Sequence, residues 1–107
     1  MTVEELTPEV LEEIQRGGSA VIEAWAVWCQ PCRLISPIIE ELAAEYSSQV
    51  PFYRFDAEKY PDLLGKLGIL SIPTVLFIKN GKEIARTVGL VSRSVIEANV
   101  KKLLEAV

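Results

Sequence analysis

Residues 20–46, AVIEAWAVWCQPCRLISPIIEELAAEY, change from the pattern of a buried strand to that of an amphipathic helix. The first seven residues are apolar except for Glu23, which is typical of a central strand covered on both faces. From residue 31 to residue 46, apolar side chains recur at helical spacing and the glutamates lie off that stripe. The only two cysteines of the chain, Cys29 and Cys32, lie where the strand gives way to the helix. This stretch therefore predicts a strand–helix unit with a cysteine pair at its junction.

The flanking sequence supplies the other elements of an α/β fold. Thr7 and Pro8 are typical of a helix start, and two glycines end that helix at residues 17 and 18. The remaining patterns predict strands over 52–56, 74–78 and 83–88, a short helix over 61–67, and a last helix capped by Ser92. Asn80-Gly81 predicts a hairpin turn, and a strand–helix–strand unit needs parallel pairing. We therefore expect a central mixed sheet of four to five strands, flanked by helices on both faces, with residues 2–6 as a short edge strand.

Length and composition set the class of protein. A chain of 107 residues predicts a single domain over 1–107. Half of the residues are hydrophobic and 24% are charged, which is typical of a soluble globular protein. No apolar run reaches the ~20 residues of a membrane helix, and the acidic N-terminus is not a secretory signal, so we expect no membrane partner and a cytoplasmic location. The net charge of −4, with no basic patch, argues against nucleic-acid binding.

The absence of histidine narrows the chemistry that the two cysteines can do. It excludes imidazole zinc sites and hydrolase triads that depend on histidine. Half of a metal site shared across a dimer remains open, although zinc normally takes four protein ligands. A purely structural disulfide would close too small a loop to restrict the unfolded chain much. We therefore favour a redox-active disulfide between Cys29 and Cys32, with no metal and no other cofactor.

The predicted position of the pair gives a physical reason for reactivity. Cys29 follows the carboxyl end of a central strand, where sites form in open α/β sheets, and Cys32 enters the first turn of the next helix. Free N–H groups and the helix dipole stabilise an anion there, which favours the thiolate that attacks disulfides. Pro31 stiffens the turn at a position where a missing N–H costs little.

The combination of motifs resembles the thioredoxin family over essentially the whole chain. Trp28 to Cys32 follow a buried strand, Ile72-Pro73-Thr74 precede another strand, and Asn80-Gly81 and Val88-Gly89 follow in the same order and spacing. The resemblance implies a thioredoxin fold and a monomeric thiol–disulfide oxidoreductase that reduces protein disulfides and is itself reduced by a thioredoxin reductase. Net disulfide oxidation or isomerisation, a binding module without turnover, and a metal carrier are the alternatives.

The resemblance also assigns roles to individual residues. Cys29 would be the exposed attacking thiolate, Cys32 the buried resolving thiol, and Pro73 a cis proline facing them. The substrate would dock on an apolar surface around the pair, formed by Trp28, Gln30, Pro31, Ile72, Pro73, Gly89 and Leu90. Gln30 stands where the family most often has glycine, so we expect it to change the pKa of the first thiol modestly.

Glu23 is the exception in an otherwise apolar strand. A buried carboxyl is costly unless it is paired or protonated. The resemblance implies a proton acceptor or donor for Cys32 at this position, where the family usually has aspartate, and Arg54 stands where the family often has lysine. The alternative is a buried Glu23–Arg54 pair that serves structure only. Burial should raise the pKa of Glu23 and the Arg54 guanidinium should lower it.

Overall fold

The structure is a computed structural model that describes residues 2–105. Over these residues the chain forms five strands and four helices in the predicted order. The elements are β1 (Val3–Glu5), α1 (Pro8–Gln15), β2 (Ala20–Trp25), α2 (Gln30–Tyr46), β3 (Phe52–Asp56), α3 (Pro61–Lys66), β4 (Thr74–Lys79), β5 (Lys82–Val88) and α4 (Arg93–Leu104). Within this part of the chain, no helix is both long and apolar enough to cross a membrane.

The strands form one mixed sheet in the order β1-β3-β2-β4-β5. β1 and β2 pair with β3 in parallel, whereas β4 pairs with β2 and with β5 in antiparallel fashion. The short edge strand predicted over residues 2–6 is present as β1. β2 therefore lies at the centre of the sheet, and it is the strand that leads into the cysteine pair.

Two separate cores cover the two faces of this sheet. On one face, Val21 and Phe77 pack with buried side chains of α2 and α4, such as Ile39 and Val100. On the other face, alternate residues of the same strands pack with buried side chains of α1 and α3, the largest being Leu6, Leu11, Ile22, Phe55, Leu63 and Leu76. Alternation along a strand sends successive side chains to opposite faces, so β2 and β4 contribute to both cores. The predicted α/β architecture is confirmed.

The helix starts follow the capping rules that the sequence indicated. The Thr7 hydroxyl accepts from the Val10 N–H at 3.2 Å, and the Ser92 hydroxyl accepts from the Val95 N–H at 3.4 Å. Such bonds satisfy N–H groups that have no partner within the helix. At the start of α2 the capping residue is Cys29, so the same local physics positions a sulfur atom there.

Candidate active site

The cysteine pair closes the junction between β2 and α2. Cys29 has extended backbone geometry as the N-cap of α2, and its sulfur accepts from the Cys32 N–H at 3.3 Å. The two cysteines form a disulfide, with their Cα atoms 5.3 Å apart. Pro31 occupies the first turn between them, as predicted. An N–H donor and a helix N-terminus both face the Cys29 sulfur, and each stabilises negative charge there.

The expectation that Cys29 is exposed is wrong for this disulfide state. Cys29 is only 3% exposed and Cys32 only 2%. Both pack against Ala26 and Ala57, and Ile72 lies against this cluster. The physical reason is the cap geometry, because the sulfur that bonds the Cys32 N–H is turned inward over the first turn of α2. In the disulfide state, both sulfur atoms are therefore almost completely covered by their neighbours.

The residues predicted for docking come together around the disulfide from three separate segments. Trp28 is 66% exposed and Leu90 is 58% exposed, and Gln30 and Pro31 are exposed beside them. Ile72 is half-buried. The Ile72–Pro73 peptide bond is cis, and Pro73 itself is buried. The Gly89 N–H donates to the Pro73 carbonyl at 2.8 Å, which ties the segment after β5 to the segment before β4. Gly89 has φ +79°, a conformation that favours glycine.

Two grooves border this surface, and each includes an apolar residue that the sequence reasoning missed. A groove of about 420 Å³ runs between Trp28 and the loop before β4, where Leu70 is fully exposed. A second groove of about 420 Å³ contains Pro31 and Leu90 together with Leu34, which is 59% exposed. The available signal was a leucine two residues before the predicted docking residue Ile72, in a segment for which no helix or strand is predicted. An apolar side chain there has no core to enter.

Glu23 and Arg54 form a second group, on the face of the sheet that α2 covers. They are directly paired residues of the parallel strands β2 and β3, so their side chains share this face. Glu23 is completely buried. Arg54 Nε and Nη2 each lie 3.3 Å from Glu23 Oε1, and Arg54 Nη1 lies 3.1 Å from Glu40 Oε2. The predicted pair is therefore present, and it extends to a second glutamate.

The other oxygen of Glu23 has a partner that was not predicted. The Ser36 hydroxyl donates to Glu23 Oε2 at 2.5 Å, and the Ser36 carbonyl accepts from Arg54 Nη2 at 3.4 Å. Burial raises the pKa of Glu23 above its ordinary value, while the Ser36 hydrogen bond and then the Arg54 guanidinium oppose that rise. The predicted opposition between burial and Arg54 is confirmed. The missed signal was the position of Ser36, four residues after Cys32 and therefore on the same side of α2.

A cavity of about 310 Å³ joins this network to the cysteine pair. Cys32, Ser36 and Arg54 all line it, and Trp25, Ala26, Val27 and Arg33 complete its wall. It is large enough for several water molecules and has polar groups to bind them. Among residues 2–105, no group of three or more histidine, cysteine, aspartate or glutamate side chains lies close enough to hold a metal ion.

The fold and the site together define an α/β domain that carries a redox-active Cys-x-x-Cys pair at a helix N-terminus. The thioredoxin family model matches residues 2–102 of the chain. The chain belongs to the thioredoxin family.

Individual relatives show how far the similarity extends. The chloroplastic M-type thioredoxin of Pisum sativum is 42% identical over 84 residues, which cover 78% of this chain and 49% of that protein. The thioredoxin of Porphyra purpurea is 31% identical over 93 residues, which cover 87% of each chain. The crystal structure of Malassezia sympodialis thioredoxin (Mala s 13) aligns with a TM-score of 0.87 at 28% identity, over 96% of this chain and 94% of that one. The chain spans about half the length of the M-type thioredoxins of Pisum sativum and Spinacia oleracea that it matches.

Proposed function

We propose that this protein is a thiol–disulfide oxidoreductase that reduces disulfides in other proteins. The observation that carries the proposal is the position of the Cys29–Cys32 disulfide, between the end of the central strand β2 and the N-terminus of α2. A disulfide that closes so short a loop stabilises the fold little, so exchange chemistry is the better reason for it. Membership of the thioredoxin family supports the same activity.

In the proposed reaction, the reduced protein donates two electrons to a substrate disulfide. The Cys29 thiolate, stabilised by the Cys32 N–H and the helix N-terminus, attacks one substrate sulfur and expels the other as a thiolate. The Cys32 sulfur then attacks Cys29 in the mixed disulfide and expels the second substrate sulfur. Both substrate thiolates take up protons, and the protein returns to the Cys29–Cys32 disulfide.

Glu23 would receive the proton that Cys32 loses in the second step. Its carboxylate is buried, its pKa is raised toward the range useful for proton transfer, and its hydrogen-bonded network lines the same cavity as Cys32. Arg54 would act as a positioning residue, because it holds Glu23 Oε1 through two nitrogen atoms. The purely structural alternative predicts no effect of Glu23 on the resolving step.

Substrates would dock on the apolar rim around the disulfide. Trp28 and Leu90 present exposed apolar area near the pair, and Ile72, two residues before β4, packs against the cluster that contains the cysteines. We propose that an extended substrate segment pairs with the backbone of Ile72, which is a form of strand addition. Gln30, Pro31, Pro73 and Gly89 would complete the docking surface.

We also propose the cellular setting that this activity needs. The partners would be disulfide-containing proteins and a thioredoxin reductase, with no nucleic acid or membrane, and the protein would act as a monomer. Turnover needs a reducing compartment, and we propose the cytoplasm. Fractionation of source cells with an antibody to this protein tests the location, and recovery from plastids, the location that the name of the Pisum sativum relative gives, would contradict it.

Reduction of insulin disulfides by dithiothreitol tests the main proposal. The wild-type protein should accelerate the reaction, and Cys29→Ser should abolish the acceleration because the attacking sulfur is lost. Cys32→Ser should accumulate a mixed disulfide between Cys29 and the substrate, visible by mass spectrometry. An inactive wild-type protein would contradict reduction, and an equilibrium potential well above the thioredoxin range of about −270 mV would favour net oxidation or isomerisation.

A further inference from the structure

The two carboxyl oxygen atoms of Glu23 have hydrogen-bond partners of different kinds, one that can only donate and one that can donate or accept. The Arg54 guanidinium can only donate hydrogen bonds, so it satisfies Oε1 only when that oxygen accepts. The Ser36 hydroxyl can donate or accept, because its single proton rotates about the C–O bond. It donates to Oε2 when Glu23 is ionised, and it can accept from Oε2 when Glu23 is protonated. Ser36 is therefore a partner that suits both protonation states of a fully buried carboxyl.

The position of Ser36 connects this partner to the reacting sulfur. Ser36 follows Cys32 by four residues on α2, so the two side chains lie on the same side of the helix. Both line the cavity of about 310 Å³. The hydrogen bond from Ser36 thus holds Oε2, rather than Oε1, on the side of the carboxyl that faces α2.

We propose that Ser36 is a positioning residue that holds Glu23 for proton transfer from Cys32. The proposal rests on the proposed function. In the resolving step the Cys32 S–H bond breaks, its proton passes to Glu23 Oε2, and its electron pair forms the bond to Cys29. The Cys29–substrate bond breaks, and its electron pair leaves with the substrate sulfur. Ser36 then turns from donor to acceptor, so the newly protonated carboxyl keeps its partner.

The other groups around Glu23 do not duplicate this role. From β3 the charged neighbour is Arg54, which stabilises only the ionised carboxyl. From α2 the charged neighbour is Glu40, whose carboxylate disfavours a second negative charge and which pairs with Arg54. From β4 the paired residue is Val75, which is apolar. Among these neighbours, Ser36 is the one that can both donate to and accept from Glu23.

A set of three serine variants tests the proposal. Ser36→Ala removes the hydroxyl, Ser36→Thr keeps it, and Ser48→Ala is the control at an exposed position just after α2. The Glu23 carboxyl is titrated by carbon-13 NMR in the oxidised proteins, where the cysteines do not titrate. The rate of mixed-disulfide resolution is then measured by stopped flow between pH 5 and pH 9, with Glu23→Gln and the Ser36→Ala/Glu23→Gln double variant alongside.

We expect Ser36→Ala to raise the pKa of Glu23, because the ionised form loses a charge-assisted donor. In Ser36→Ala, mixed-disulfide resolution should be slower by roughly tenfold at pH 7, which is the size of effect expected from a lost hydrogen bond to a charged group. The pH dependence of the rate should move to higher pH. Ser36→Thr should restore both the pKa of Glu23 and the rate of the resolving step. In the Glu23→Gln background, Ser36→Ala should not slow the resolving step further. An unchanged Glu23 titration in Ser36→Ala, or an equal rate loss in the Glu23→Gln background, would overturn the proposal. The NMR titration needs no substrate, so it still decides the role of Ser36 if the wild-type protein fails to reduce insulin.

Discussion

Glu23 shows how the burial of one carboxyl affects both reactivity and stability. Burial raises its pKa because the charged form loses hydration, and the partners from α2 and β3 recover only part of that loss. The folded protein therefore holds a proton on Glu23 over a pH range in which the unfolded chain, with an ordinary pKa of about 4.5, has released it. Ionisation of Glu23 in the folded protein therefore lowers the free energy of unfolding.

This pKa shift predicts a particular pH dependence of stability. Because the folded protein binds the extra proton, the free energy of unfolding should fall as pH rises from about 4.5 through the raised pKa of Glu23. Glu23→Gln should lack this fall, so its stability relative to the wild type should increase with pH. Urea denaturation between pH 4 and pH 8 measures the difference, with the exposed Glu13→Gln as the control. Parallel curves for Glu23→Gln and the wild type would show that the carboxyl does not behave as described.

The sequence was informative about Glu23 and Arg54 but not about the partner that completes the pair. Adjacent parallel strands bring Glu23 and Arg54 together, and both lie at predictable strand positions. Ser36 lies off the apolar stripe of α2, so the apolar pattern gives no reason to pair it with Glu23. The packing of α2 against the sheet brings the Ser36 hydroxyl to Glu23. The exposure of Cys29 was mispredicted for a similar reason, because it depends on how the cap turns the sulfur.

At the scale of elements, Arg86 connects β5 to the loop between α3 and β4, which includes the proposed docking residue Ile72. Arg86 Nη1 donates to the Gly68 carbonyl at 3.1 Å, and Nη2 donates to the Leu67 carbonyl at 2.8 Å. These carbonyls lie at and just beyond the end of α3, where they have no helical N–H partner. Glu83 holds the guanidinium with both of its oxygens. Ile72, the residue proposed for docking, lies four residues beyond Gly68 in the same loop.

We therefore expect Arg86→Gln to loosen the loop between α3 and β4. Loss of the charged donors should lower the free energy of unfolding by about 1–2 kcal/mol, since each hydrogen bond to a charged group contributes roughly 1.5–3 kcal/mol and the site is partly solvated. Hydrogen exchange at the amides of Gly68 and Ile69, which bond to carbonyls of α3, should become faster. Arg16→Gln is the control, because Arg16, just after α1, forms an exposed ion pair with Glu12. Wild-type exchange rates at these two amides would contradict the anchoring role.

Most elements could be predicted because their hydrophobic periods are long or bounded by clear stop signals. Pro31 and the stripe from Ile35 to Tyr46 indicated α2 to within one residue of its observed start. β1 has only three residues, too few for a period to be distinctive, and its pairing with β3 fixes it. The loop after Gly68 had no period at all, so the anchor from Arg86 could not be anticipated.

At the scale of the whole molecule, the two cores share the strands that position the site. Phe77 and Leu76 are neighbours on β4, both completely buried, yet they face opposite sides of the sheet. The first packs beneath α2 and α4, and the second beneath α1 and α3. A single sheet runs between the two cores, so we predict that the chain, expected from its length to be a single domain over 1–107, unfolds in one cooperative transition.

This prediction of one domain can be tested by damaging each core separately. Phe77→Ala should lower the free energy of unfolding by about 3–5 kcal/mol and Leu76→Ala by about 2–5 kcal/mol, because each leaves a cavity in a dense core. In urea, circular dichroism from the helices and fluorescence from Trp25 and Trp28 should report the same midpoint within each variant, since β2 and β4 belong to both cores. Val88→Ala, at a position that is 53% exposed on β5, should move the midpoint little. If one core melted before the other, the two probes would separate, and the chain would contain two folding units divided by its sheet.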